Sequence, residues 1–216
     1  MPATPPLPGF ERLIKICHRH QLPLELSSPL STAPKGGELI FDQAFDPQLA
    51  TIYQRTGEAT LGSFTLFPPH HEHQGLFAIN EHFKRDGEEP FRSTLVFGQK
   101  TGFSYYLGTV PVLADAQGLQ PVIYIPYYPG ELSGLPIAST VDRFFDTYSH
   151  YLELMVVDAE YVETGVPEIS FPWDVAPLVV QDTALMSLVS AGRFVPLMDN
   201  NRDAQEWVDT LLTTRP

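Results

Sequence analysis

The chain is poor in sulfur and in positive charge, and it lacks a long apolar run. Among its 216 residues there is one cysteine, Cys17. A single cysteine excludes an internal disulfide and any multi-cysteine metal site, and it fits a reducing compartment. Lysine and arginine together number 13 against 26 aspartates and glutamates, for a formal charge of −13. No apolar stretch approaches the ~18 residues of a membrane-spanning helix. The opening Met-Pro-Ala-Thr-Pro-Pro-Leu-Pro has neither the basic start nor the apolar core of a signal peptide. The expectation is a cytoplasmic protein that engages neither nucleic acid nor membrane, since an acidic field repels phosphate.

Catalytic motifs are also missing. There is no Gly-x-Ser-x-Gly elbow, no Walker loop and no Gly-x-Gly-x-x-Gly. Acid pairs occur throughout so acidic a chain and discriminate nothing. Cys17 lies with Phe10, Leu13 and Ile14 on the apolar face of a first helix over 9–21, so it reads as a small core residue rather than a nucleophile. His70-His71-Glu72-His73 is the most conspicuous polar cluster, and His82 follows it. Zinc accepts such ligands, but contiguous loop residues rarely converge on one ion, and the i, i+4 helical spacing of zinc proteases is missing. The cluster reads as an exposed turn, with a metalloenzyme as the minor alternative. The expectation is no enzyme, no cofactor and no metal, in a protein whose product is an interface.

What is present is proline, 21 residues of it, and a set of short elements. Residues 22–37 read as a loop. Glu38–Phe41 reads as a short strand. Asp46-Pro47 opens a second helix of about three turns, by N-cap and proline at the first helical position. Leu61–Phe67 alternates as one strand, Leu76–Ile79 as another, and Asn80–Glu89 as loop or weak helix. Thr94–Phe97, Phe103–Leu107 and Val122–Ile125 are three strands joined by short turns, which implies an antiparallel meander. Tyr127 and Tyr128 then sit in a loop, where they either pack beneath it or offer a binding surface. Ser139 reads as the N-cap of the next helix, with Asp142 as its capping-box partner. Val141, Phe144, Phe145, Tyr148, Tyr151, Leu152 and Met155 follow as one wide apolar stripe.

The fold class implied is α+β: an antiparallel sheet of about 4–6 strands with helices packed around it, over residues 1–156. Residues 157–216 read as a helical appendage on that domain, with Asp182 and Asn200 or Asn201 as caps and Phe171-Pro172-Trp173-Asp174 as an aromatic anchor. Two short helices alone bury too little to stand independently.

Charge is placed unevenly. Residues 1–108 hold 11 acids and 9 Lys/Arg; residues 109–216 hold 15 acids and 4 Lys/Arg. Between Arg143 and Arg193 there is no lysine or arginine, while Asp146, Glu153, Asp158, Glu160, Glu163, Glu168, Asp174 and Asp182 all fall there. A basic partner is the complementary expectation; plain solubility is the other reading.

The central stretch resembles a known family. Asp46-Pro47-Gln48-Leu49 opens a helix, and Leu66-Phe67-Pro68, Leu95-Val96-Phe97-Gly98, Gly102 to Leu107 and Pro121-Val122-Ile123-Tyr124 follow. Ile137-Ala138-Ser139-Thr140-Val141-Asp142-Arg143-Phe144-Phe145 then joins a final strand to a helix. Together they are similar to the SUKH superfamily, which unites bacterial toxin-immunity proteins with yeast cell-wall-assembly regulators. The likeness covers about residues 40–155, and Arg55-Thr56-Gly57 stands where that family usually has an Asn-Gly-like element. It implies an α+β fold without catalysis, and binding to a cognate toxin domain, often a nuclease. Nucleases are basic so as to hold phosphate, and an acidic inhibitor is steered onto them. Asp146, Glu153, Asp158, Glu160, Glu163, Glu168 and Asp174 are the candidate interface anions, with Tyr127, Tyr128 and Trp173 as anchors. An intracellular regulatory or scaffold protein is the rival reading.

Overall fold

A computed structural model describes residues 5–29, 33–71, 75–128, 131–198 and 201–214. The fold is α+β and antiparallel throughout. β1 (Leu24–Leu26), β4 (Ala59–Leu61), β5 (Phe64–Leu66), β6 (Leu95–Lys100), β7 (Tyr105–Thr109), β8 (Val122–Tyr128) and β10 (Leu135–Ala138) form one sheet in that order. A short β9 (Glu131–Leu132) also pairs with β8, and β2 (Leu39–Ile40) with β3 (Gln43–Ala44) makes a separate hairpin. The meander β6-β7-β8 is present as the strand pattern implies.

The sheet is larger than the expected 4–6 strands for two local reasons. Leu61–Phe67 is not one strand. Gly62, at φ +63, turns the chain with Ser63, so that Leu61 pairs with Phe64 and Ala59 with Leu66. This is a two-residue hairpin with glycine at its first loop position. Residues 24–26, read as loop, add a strand at the open edge, where Pro23 and Pro29 outside the paired residues cost no ladder bonds.

Helices cover both faces. On one lie α1 (Pro8–His20) and α4 (Val141–Met155); Phe144 and Tyr148 of α4 meet Phe64 edge-on at 5.8 and 4.8 Å. Every residue of the expected α4 stripe is buried. On the other face lies α3 (Leu76–Asp86), where a strand over 76–79 and then loop were expected. The run Leu76–Ile79 is too short to reveal its period, but Leu76, Asn80 and Phe83 are all buried and lie on one side of a helix. The Asn80 amide donates to the Val96 carbonyl at 2.7 Å and accepts from the Val96 N–H at 2.8 Å, which satisfies β6 beyond the end of β5.

Capping carboxylates do two jobs each. Asp46 caps α2 (Pro47–Tyr53) through Gln48 and Leu49 N–H and also takes the Gln120 N–H, 74 residues away, at 2.9 Å. Burial pushes its carboxyl up to about 6 despite these donors. The α2 helix is two turns rather than three, ending at Tyr53 and not at Gly57. The cap of α4 is Thr140, not Ser139: Thr140 accepts from Arg143 N–H at 3.1 Å, while the Ser139 N–H goes to Asp182 at 2.7 Å. Nor does Asp142 close a capping box. Its two oxygens each accept at 3.0 Å from Gly9 and Phe10 N–H, clamping the start of α1 onto α4. A Cβ on Gly9 would lie 2.2 Å from the Asp142 carbonyl, so the close approach requires glycine.

Residues 157–198 and 201–214 are woven into the same core. Phe171 is buried and touches Phe64, Tyr124, Phe144, Tyr148 and Tyr151 at ring separations of 5.4 to 6.3 Å. After the short α6 (Ala176–Val179), Asp182 caps α7 (Thr183–Ser190) and Asn201 caps α8 (Arg202–Thr213), as the sequence suggests. The Trp207 indole N–H donates to the Pro136 carbonyl at 2.9 Å, and Gly134 N–H to the Leu197 carbonyl at 2.8 Å. The C-terminal helices thereby cover the β10 edge of the sheet.

Candidate protein-binding surface

The candidate residues fall in four places. Asp146 and Glu153 lie on α4 beside α1, and both are paired. Arg143 holds Asp146 at 2.7 Å. Glu153 is bonded to Arg12 and lies 3.7 Å from Arg19, and the His150 ring sits between the two carboxylates. The stretch without Lys or Arg in the sequence therefore has arginines beside it in space, supplied by α1.

The second place is the turn that follows α4. Asp158 caps α5 (Ala159–Thr164) through the Tyr161 N–H at 2.9 Å and also takes the Glu168 N–H at 3.2 Å. Tyr151 closes the segment by donating to the Ile169 carbonyl at 3.3 Å. Residues 158–169 are thus a small lobe folded back on the C-terminal end of α4. Its Glu160, Glu163 and Glu168 side chains are exposed and, among the described residues, form no ion pair. Four large aliphatic side chains are exposed in the same short span: Leu154 at 48%, Val157 at 74%, Val162 at 72% and Val166 at 65%. Nothing in the sequence pattern singles out these four. Their spacing follows no single period because a turn separates α4 from α5.

Trp173 marks the third place. It is 39% exposed and stands edge-on to Trp207 at 6.0 Å, above α8 and near Asp203 and Glu206. Asp174, next to it, is spent on a local turn, accepting from the Ser170 N–H at 2.8 Å. Tyr127 is the fourth, and it belongs to β8 rather than to a loop. It packs with Phe83, Phe91 and Tyr106 on the α3 side of the sheet, away from the acids. Tyr128 ends the same strand, and its side chain lies outside the described residues.

Of the histidine cluster, His70 stacks on Phe77 at 4.9 Å and His71 is exposed, while Glu72 and His73 lie outside the described residues. Among the described residues no three His, Cys, Asp or Glu side chains are placed to hold a metal. Cys17 is fully buried, and burial pushes its thiol up to about 11. A thiol so placed stays protonated and is a poor nucleophile.

A groove borders the α5 lobe. It holds ≈ 450 Å³ and runs between the Gly62-Ser63 turn, the Lys100–Phe103 end of the β6-β7 hairpin, the last turns of α4 and residues 165–170. Its walls are largely apolar, with Leu152, Met155, Val166 and Ile169 among them.

The chain matches no family model, no curated protein and no solved structure. Among the described residues no helix is long and apolar enough to cross a membrane.

Proposed function

We propose that this protein is a cytoplasmic immunity protein that binds and neutralises a cognate antibacterial toxin domain, without catalysis of its own. The observation that carries this is the α5 lobe with the end of α4 that it folds back on, where exposed Leu154 and Val157 of the α4 end and Val162 and Val166 of the lobe are interleaved with exposed Glu160, Glu163 and Glu168. Exposed aliphatics in such density mark an interaction surface, and the carboxylates select a basic partner and speed its approach. A nuclease, basic where it holds phosphate, has that chemistry. The likeness of residues 40–155 to the SUKH superfamily supports the same reading.

The test is co-expression with the toxin domain encoded beside this chain's gene, followed by stopped-flow association of the two purified proteins. The wild-type chain rescues growth, and association slows as salt is raised. Replacing Glu160, Glu163 and Glu168 together by glutamine slows association several-fold, whereas Glu153→Gln, already paired, changes it little. Cell death in the presence of the wild-type chain would sink the immunity reading. Rescue with a salt-independent association rate would remove the charge-complementary part.

A further inference from the structure

We propose that the groove beside Lys100 binds a small amphiphilic carboxylate, an apolar chain ending in an anionic group. The groove has the volume for it: ≈ 450 Å³, within the roughly 300–1,000 Å³ of small-molecule sites. Its walls supply the apolar half of the recognition through Leu152, Met155, Val166 and Ile169. Lys100 supplies the polar half.

Lys100 is the one basic residue lining the groove, and it is half-buried. Among the described residues its ammonium has no carboxylate partner, in a chain with 26 acids to offer. It is held instead over two aromatic faces, 4.9 Å from the centre of Phe103 and 5.8 Å from that of Tyr105. The two rings stack at 5.4 Å, and Phe103 is 55% exposed. Ring faces hold a cation in place but leave its charge only partly compensated. Burial accordingly pulls the lysine below its ordinary value. A carboxylate lying in the groove would be the missing counter-ion, while its chain covers the apolar wall. The groove shares Val166 with the proposed partner surface, but Lys100 and Phe103 belong to the β6-β7 hairpin, so Lys100→Met tests the groove separately from the partner-binding reading of the α5 lobe.

Calorimetric titration of the full chain with dodecanoate, below its micellar concentration, tests the assignment. The control ligand is a neutral alkyl glycoside of equal chain length. The expected result is one saturable site for dodecanoate, weakened about five- to tenfold by Lys100→Met, as for loss of one partly desolvated charge pair. Val166→Glu, at an exposed position on the apolar wall, weakens dodecanoate further without touching the core. Circular dichroism confirms that both variants fold. The proposal is overturned if the wild-type chain shows no saturable binding, if Lys100→Met binds dodecanoate as tightly as the wild type, or if the neutral glycoside binds equally well.

Discussion

Two acidic stretches lie end to end in this chain and meet different fates. On α4, Asp146 and Glu153 are held by Arg143 and by Arg12 and Arg19 of α1. On the α5 lobe, Glu160, Glu163 and Glu168 face solvent beside exposed valines. In the sequence the two look alike, both falling in the stretch with no lysine or arginine. Arg143 answers Asp146 from within α4 itself; Glu153 is answered by α1, which arrives from the far end of the chain and lies along α4. A run of like charge becomes a field only where no opposite charge is folded against it, because Coulomb attraction depends on distance in space. The lobe, not the long helix, is where the acidity stays available to a partner.

That contrast can be broken from either side. The largest effect is expected from Phe171→Ala. Phe171 ties the chain beyond the lobe to the aromatic core, and its removal should cost about 3–5 kcal/mol by chemical denaturation, as for other core phenylalanines. A loss below about 1 kcal/mol, the scale of a surface change, would mean that the lobe is not anchored in the core. Next is Asp142→Ala, which leaves two buried N–H donors of α1 bare and should cost about 1–3 kcal/mol. Amide exchange in α1 should quicken with it. If exchange in α1 is unchanged, the clamp is not what holds the two helices together. The smallest effect on stability belongs to Arg12→Met. Both partners of the Arg12–Glu153 pair are about a third exposed, so screening limits the loss to less than ~1 kcal/mol. Uncovering Glu153 should nevertheless make α4 a second acidic surface and raise the association rate with a basic protein. An unchanged rate would show that α1 does not mask that face.

Much of the fold was legible because it is written locally. The α4 stripe repeats at helical spacing, the meander strands are bounded by glycine and proline, and the Asp46, Asp182 and Asn201 caps stand directly before their helices. Where local signals were weak or overruled, the reading failed. Gly62-Ser63 is a hairpin turn inside what looks like one alternating strand, and its glycine was the available clue. The run Leu76–Ile79 is equally good strand or helix, and only its packing under β6 chose helix. Asp142 sits where a capping box would place it, yet its carboxylate bonds to residues 132 and 133 positions away.

The candidate site was less legible than the fold. Ten residues were singled out by charge and aromaticity; apart from Tyr128, whose side chain lies outside the described residues, they divide among α4, the α5 lobe, the Trp173 corner and, for Tyr127, the opposite face of the sheet. The exposed aliphatics that give the lobe its interface character carry no signal of their own, since a valine in an irregular stretch reads as core or surface with equal ease. Lys100 was invisible for a similar reason: a lone lysine in a turn is ordinary until its surroundings show that no carboxylate among the described residues answers it.

By itself, then, the sequence determined the class of fold, the central helix and its buried face, the capped starts of α2, α7 and α8, and a large excess of negative charge over the second half of the chain. These are short-range properties: period, propensity and composition. Only the tertiary structure decided which of those charges remain unpaired. It did so by laying α1 along α4 through two hydrogen bonds to Asp142 and a glycine small enough to permit the contact. Hydrogen bonds and ion pairs form between groups that are near in space, and no local pattern records that residue 12 will meet residue 153.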